Sequence, residues 1–211
     1  MSGRSIFVAG ASGAVGRTLV QQGLANGVTL RPHYRKLPEG GLPHGGVVGA
    51  LDDHDWLTEH LRGQTTVLQL IGTMKKRFAS GDTYETSDVG TTRSLVECAK
   101  RAGTVDHIVL LSSVGAGRPV GAFLKAKARA ETIVSTSGIP WTTLRPGAFD
   151  GGGHHAPPGL GLFSKIPGLH GLRPIHVDYL ARVILHVAGT RGPLDTVLEG
   201  DPIFAVLPEG P

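Results

Sequence analysis

The stretch Ser5-Ile6-Phe7-Val8-Ala9-Gly10-Ala11-Ser12-Gly13-Ala14-Val15-Gly16 decides the fold. An apolar run from Ile6 to Ala9 leads into glycines spaced G-x-x-G-x-x-G, and a helix-like run, Thr18 to Leu24, follows. That order predicts a strand, a tight turn and a helix. In such a turn Gly10 permits the bend, Gly13 lets the backbone approach a pyrophosphate, and Gly16 lets the helix pack closely, with its first N–H groups aimed at the anion. Gly10, Ala11, Ser12, Gly13, Ala14, Val15 and Gly16 are therefore candidate cofactor-binding residues. A glycine turn alone is a weak signal; its place between a strand and a helix gives it weight.

Outward from this turn the β–α alternation continues. Val28 to Tyr34 reads as a second strand, its end made edge-like or terminating by Pro32. A Gly- and Pro-rich connector, Leu37 to Gly46, leads to a short strand at Val47-Val48, a helix from Asp53 to Leu61 and a buried strand from Thr66 to Ile71. One helix is expected over Thr83 to Ala102, closed by Gly103. A strand at His107 to Leu111, a helix from Ala122 to Ser137 and a sixth strand at Trp141 to Leu144 complete the regular part. The pattern stops between Asp150 and Leu172, where glycine and proline dominate, and a loop that long inside a domain is usually functional. A helix from Val177 to Ala188 and an apolar segment from Pro202 to Leu207 close the chain. The expectation is one α/β domain over residues 1–211: a Rossmann-like, doubly wound parallel sheet in a three-layer αβα arrangement, with a substrate loop at 150–172.

Composition narrows the function classes. Thirty-two glycines in 211 residues are about twice the ordinary share, but they cluster without a period, which excludes a collagen-like repeat. A formal charge of +4 comes from scattered Lys and Arg, with Lys75-Lys76-Arg77 the one run, so a phosphate-bearing small ligand explains it and nucleic acid is not expected. No stretch of about 20 apolar residues suggests a membrane span, and the apolar start is broken by Gly10, Gly13 and Gly16, unlike a leader peptide. The lone Cys98 reads as a packing thiol in a reducing, cytoplasmic setting. The adjacent His154 and His155 lack a spaced partner, so no metal is expected.

An NAD-specific site places an acid at the end of the second strand to accept from the ribose 2′-hydroxyl. This chain has Tyr34-Arg35-Lys36 there, two cations suited to a 2′-phosphate, with Arg17 as a weaker third. NADP (NADPH) is therefore the expected cofactor, ahead of NAD.

The glycine turn, Arg35, Leu111-Ser112-Ser113, Lys127, Glu131, Ser137 to Thr142, Arg145-Pro146-Gly147 and Pro174 to Asp178 together resemble the atypical short-chain dehydrogenase/reductase family. The likeness runs over nearly the whole chain and points to its small NAD(P)H-binding members: flavin and biliverdin reductase-like proteins, Tat-interacting-protein-like oxidoreductases and NmrA-like sensors. It implies a nicotinamide near Gly72, Ser112 and Ser113, flanked by Arg145, Pro146 and Gly147, with Lys127 binding the nicotinamide ribose. Ser113 and Lys127 are the candidate catalytic residues. Two departures stand out. The Tyr of the family's Tyr-x-x-x-Lys falls on Phe123, which carries no exchangeable proton. The family's Gly-Asp-Leu after the third strand, with its Asp near the adenine amine, is Gly49-Ala50-Leu51, so the carboxylate is missing unless Asp52 fills the role; Leu51 stays a candidate cofactor-binding residue.

Beside these readings stand plainer ones. The plainer reading of Lys127 is a solvated helix lysine, and of Ser112 and Ser113 strand-end caps. Tyr84 is an alternative phenol. Asp178 is expected to cap the last helix. The functional expectation is an NADPH-dependent oxidoreductase acting on a small carbonyl, flavin or quinone-like molecule; the alternatives are a non-catalytic NADP(H)-binding sensor and, further off, an epimerase or dehydratase.

Overall fold

The structure, a computed structural model, describes residues 3–72, 83–153 and 173–207. β1 (Ser5–Ala9), β2 (Thr29–Tyr34), β3 (Val47–Val48), β4 (Thr66–Gln69), β5 (His107–Leu111), β6 (Trp141–Arg145) and β9 (Thr196–Glu199) form one sheet in the order 3-2-1-4-5-6-9. Every pairing in it is parallel. A separate parallel pair joins β7 (Phe149–Asp150) to β8 (Ile175–His176). The helices are α1 (Ala14–Ala25), α2 (His54–Leu61), α3 (Thr91–Ala102), α4 (Gly121–Ser135), α5 (Val177–Thr190) and α6 (Asp201–Phe204).

The period of two in β1 sorts the core into two layers. Ile6 and Val8 pack with Leu19 of α1 and Leu180, Val183 and Ile184 of α5 on one face. Phe7 and Ala9 point to the other face, against Leu57 and Leu61 of α2, Leu95 of α3 and Val134 of α4. A sheet covered on both sides is what buried, Val- and Ile-rich parallel strands require. Cys98 lies in the second layer as a buried free thiol, and burial raises its pKa.

Four local readings change. Pro32 does not place β2 at an edge: it stands opposite Val8, and β3 pairs only with His33 and Tyr34, one residue beyond it. The expected single helix from Thr83 divides into a π-helical turn, Glu85–Gly90, and α3, which closes at Gly103 with φ +71°. The cap of α5 is His176, whose Nδ1 accepts from the Asp178 N–H at 3.3 Å; Asp178 sits in the first turn. β9, which no sequence signal announced, adds the seventh strand, and the apolar tail folds in part as α6.

Fully buried at the start of β5, His107 shares a 2.8 Å hydrogen bond between its Nε2 and the Thr142 hydroxyl. Burial, assisted by the nearby Arg4, lowers its pKa to about 4. Below the ordinary value of 6.5 the unfolded chain takes up a proton that the folded one refuses, so stability is complete above pH 6.5 and falls as the pH drops toward 4. Between pH 7 and pH 5 this group alone removes about 2 kcal/mol. Urea titrations at the two pH values should show that loss, and His107→Gln should flatten it; equal slopes in both proteins would assign the acid sensitivity elsewhere.

Candidate functional site

The sheet order reverses between β1 and β4, the place where an open α/β sheet leaves a crevice beyond its strand ends. A cavity of about 1030 Å³ lies there, lined from the loops after β1 through β6. Each glycine of the first turn has a different reason to be glycine. Gly10 holds φ +96°, and a Cβ on it would fall 2.9 Å from the Leu70 carbonyl carbon. A Cβ on Gly16 would meet the Gly10 oxygen at 2.1 Å, so α1 can approach the turn only without a side chain there. Among the described residues beyond its chain neighbours, a Cβ on Gly13 would meet one atom within 4 Å, the Gly10 oxygen at 3.3 Å.

Gly13 N-caps α1 with no side-chain cap, and the first turn holds no acidic residue. The first-turn N–H groups are thus left for an anion, with the positive end of the helix dipole behind them. Ser12, Ala14 and Val15 join the wall. Ala11 does not; it is fully buried and packs into the α1–α5 core layer.

On the β2–β3 side the wall contains Arg17, His33, Arg35, Leu51 and Asp52. Arg17 Nη1 donates to the Ser12 carbonyl at 2.7 Å. Lys36 is exposed and outside the wall, so the two neighbouring cations are not equivalent. Asp52 does reach the cavity beside Leu51, while Ala50 fills the position where the resembled family has Asp. His33 Nε2 lies 2.9 Å from the Gly49 carbonyl, which only accepts, so Nε2 carries the proton. Burial lowers the pKa of His33, and Arg35 acts in the same sense. Trp56 packs under Gly49 so closely that a Cβ there would lie 2.3 Å from the indole.

The β4–β6 side brings together Gly72, Ser112, Ser113, Phe123, Lys127 and Pro146. Phe123 and Lys127 are one helical turn apart on α4 and face the cavity together. The solvated reading of Lys127 does not hold: its side chain is 7% exposed, with Nζ 2.8 Å from Asp88 Oδ1 and 3.2 Å from the Leu111 carbonyl it donates to. Asp88 belongs to the π-helical turn and is itself buried.

Ser112 lines the cavity, but its hydroxyl donates to Glu131 Oε1. Glu131 also grips Arg145 through two bonds, 2.9 and 2.6 Å, and Arg145 reaches Glu199 of β9 at 3.0 Å. These carboxylates raise the Arg145 pKa. Arg145 therefore ties β6, α4 and β9 together and stays out of the wall, whereas Pro146 and Gly147 enter it. Among the described residues Ser113 Oγ makes one long contact, 3.4 Å to the Val114 carbonyl, which leaves it the less committed hydroxyl of the two. The Tyr84 ring leans on Phe123 at 5.6 Å without lining the cavity. Lys75, Lys76, Arg77, His154, His155 and most of the 150–172 loop lie outside the described residues.

Asp88 is the residue that sequence reasoning missed. A signal existed: Asp88, Thr92, Leu95, Val96 and Ala99 continue one helical stripe of buried positions, and a carboxylate there demands a partner. Among the described residues no three His, Cys, Asp or Glu side chains cluster as metal ligands, and no helix is long and apolar enough to cross a membrane.

Residues 10–189 match a family model described as NAD(P)H-binding. The chain belongs to the NAD(P)H-binding family. Its relatives share the architecture at low identity. The oxidoreductase ylbE of Lactococcus lactis superposes with a TM-score of 0.70 at 19% identity, over 92% of this chain and 88% of that one. A putative NAD-dependent epimerase/dehydratase of Bacillus halodurans gives 0.69 at 23% identity, over 88% of each. Protein TIC 62 of Pisum sativum, a chloroplastic protein, is 28% identical in an alignment 175 residues long that covers 69% of this chain and 33% of that protein, so the chain spans about a third of its length. The fold is the NAD(P)-binding Rossmann fold of oxidoreductases and epimerase-like proteins, as the resemblance to atypical short-chain dehydrogenases implied. An open Gly13 face before an uncapped helix start is what a dinucleotide pyrophosphate needs, so the residues of this NAD(P)H-binding chain fit the group.

Proposed function

We propose that this chain is an NADPH-dependent oxidoreductase whose substrate is a small carbonyl, flavin or quinone-like molecule. The observation that carries the reading is the cavity itself, which joins the uncapped start of α1, Arg35 and the buried Lys127 in one wall. In this reading Gly10, Ser12, Gly13, Ala14, Val15 and Gly16 cradle the pyrophosphate, and Arg35 takes the 2′-phosphate. Leu51 lies at the adenine, Lys127 at the nicotinamide ribose, and Gly72, Ser113 and Pro146 around the nicotinamide. A reduced nicotinamide, when bound, supplies a hydride. Phe123 excludes water where the resembled family holds a phenol, and Ser113 offers a hydroxyl to the substrate oxygen. With no phenol at position 123, the reading favours acceptors that draw their proton from solvent. The buried lone thiol of Cys98 supports a cytoplasmic site of action.

The test follows NADPH oxidation against a panel of flavins, quinones and aldehydes. Turnover with any of them supports the reading. Tight NADPH binding without turnover across the panel favours a second reading, a redox-sensing module of the NmrA-like kind, for which Phe123 in the cavity wall is the supporting observation.

Cofactor choice is testable separately. A charge-assisted contact to phosphate contributes roughly 1.5–3 kcal/mol, so Arg35→Ala should weaken NADPH by about ten- to a hundredfold while NADH changes little. Lys36→Ala should matter less, because Lys36 stands outside the wall. Calorimetric titrations decide it; wild-type protein that binds NADH as tightly as NADPH overturns the preference.

A further inference from the structure

The ion pair between Lys127 and Asp88 holds two opposite charges at the floor of the cavity, both nearly removed from solvent. Gly72 passes directly above it: a Cβ there would stand 3.2 Å from Lys127 Nζ and 3.6 Å from Asp88 Oδ1. Among the described residues that line the β4–β6 half, Lys127 is the one that carries a charge. Asp88 stands behind it, outside the wall. An aspartate therefore cancels the only charge that the described part of this half presents.

Resting on the dinucleotide reading above, the placement of the two halves follows from the wall. The pyrophosphate belongs at the start of α1, in the middle of the cavity. Arg35 and Asp52 mark the adenosine half toward β2 and β3. The nicotinamide half must then extend toward Gly72 and Lys127. An oxidised nicotinamide ring carries one positive charge and a reduced ring none. A lone ammonium beneath that ring would repel the oxidised form and leave the reduced form nearly untouched; a neutral pair does neither.

We propose that Asp88 is the positioning residue of this half: it fixes the Lys127 ammonium on the cavity floor and cancels its charge, and so sets the balance between oxidised and reduced dinucleotide. Asp88 acts only through Lys127 and touches no substrate. Its location in a π-helical turn supports the assignment, since the extra residue of such a turn re-aims side chains and is found often at functional sites. Lys127 pairs with Asp88 as an ion pair at 2.8 Å and donates to the Leu111 carbonyl, which leaves it donor capacity for a ribose hydroxyl.

The test compares the dissociation constants of NADP+ and NADPH by calorimetry, on full-length protein with its fold checked by thermal melting. Asp88→Asn keeps the shape and uncovers the ammonium, so the ratio of the NADP+ constant to the NADPH constant should rise by roughly tenfold. Lys127→Gln uncovers the carboxylate and should move the ratio the other way by a similar factor. The double variant, with both charges gone, should return it to the wild-type value; if one single variant does not fold, the other carries the test, since each is expected to move the ratio by itself. A merely structural role would weaken both forms equally. Folded single variants whose ratio stays within twofold of wild type overturn the proposal and leave the dinucleotide reading standing, whereas wild-type protein that binds neither form overturns both.

Discussion

Replacing Gly13 by Val should weaken dinucleotide binding by at least about a hundredfold and leave a folded domain. The reason lies in what surrounds the missing side chain. Among the described residues a Cβ at Gly13 would meet only the Gly10 oxygen, at 3.3 Å, and the backbone has φ −72° and ψ 168°, which any residue adopts. The protein itself therefore tolerates the substitution at small cost. The isopropyl group, however, would project into the space before the α1 N–H groups, where a pyrophosphate needs contact with bare backbone. Losing two charge-assisted backbone contacts removes on the order of 3 kcal/mol or more, which is about two decades of affinity. Gly16→Val makes the contrasting control. Its Cβ would land 2.1 Å from the Gly10 oxygen, so it should disrupt folding itself. Calorimetry with NADPH and a thermal melt distinguish the two outcomes; undiminished affinity in the Gly13 variant would remove the turn from the site.

A large loss of stability in a domain that still folds is expected at Glu131. Its carboxylate accepts from Ser112 and from two nitrogens of Arg145, and both charged side chains are mostly buried, 12% and 16% exposed. Breaking a buried pair by removing one partner typically costs about 3–5 kcal/mol, because the remaining charge has lost its compensation. Glu199 still holds Arg145 from β9, so Glu131→Ala should fall near the lower end, about 3 kcal/mol. For a domain of this size that is a drop in Tm of roughly 6–12 °C. The variant also frees the Ser112 hydroxyl at the cavity wall. A change of less than about 1 kcal/mol by urea unfolding would mean that Glu199 alone satisfies the guanidinium.

The parts legible in the sequence are those where local pattern and tertiary environment agree. β1, its glycine turn and α1 follow from a dozen consecutive residues, and the period of two in Ile6-Phe7-Val8-Ala9 already divides the two core layers. β9 was illegible because four residues beside Gly192 and Pro193 carry too little periodicity; it becomes a strand by pairing with β6, far away in sequence. The site shows the same division. Glycines, Arg35 and Phe123 announce themselves by type and position. The environment of Lys127 does not, because its partner lies 39 residues earlier, inside a helix whose π-helical turn has no sequence signature. Ser112 illustrates the reverse limit: its position is readable, but its commitment to Glu131 depends on how α4 packs over β5.

The packing of Trp56 under Gly49 has an optical consequence. The chain holds two tryptophans. Trp141 opens β6, at the end of the sheet away from the cavity, whereas Trp56 lies one layer beneath a residue of the cavity wall. Indole emission responds to changes in the polarity and packing immediately around the ring. Filling of the adenosine half beside Gly49 should thus change the Trp56 emission, and Trp56→Phe should remove that change. The fold supplies an intrinsic fluorescent reporter beside its own ligand cavity, by which occupancy can be followed in real time without a dye.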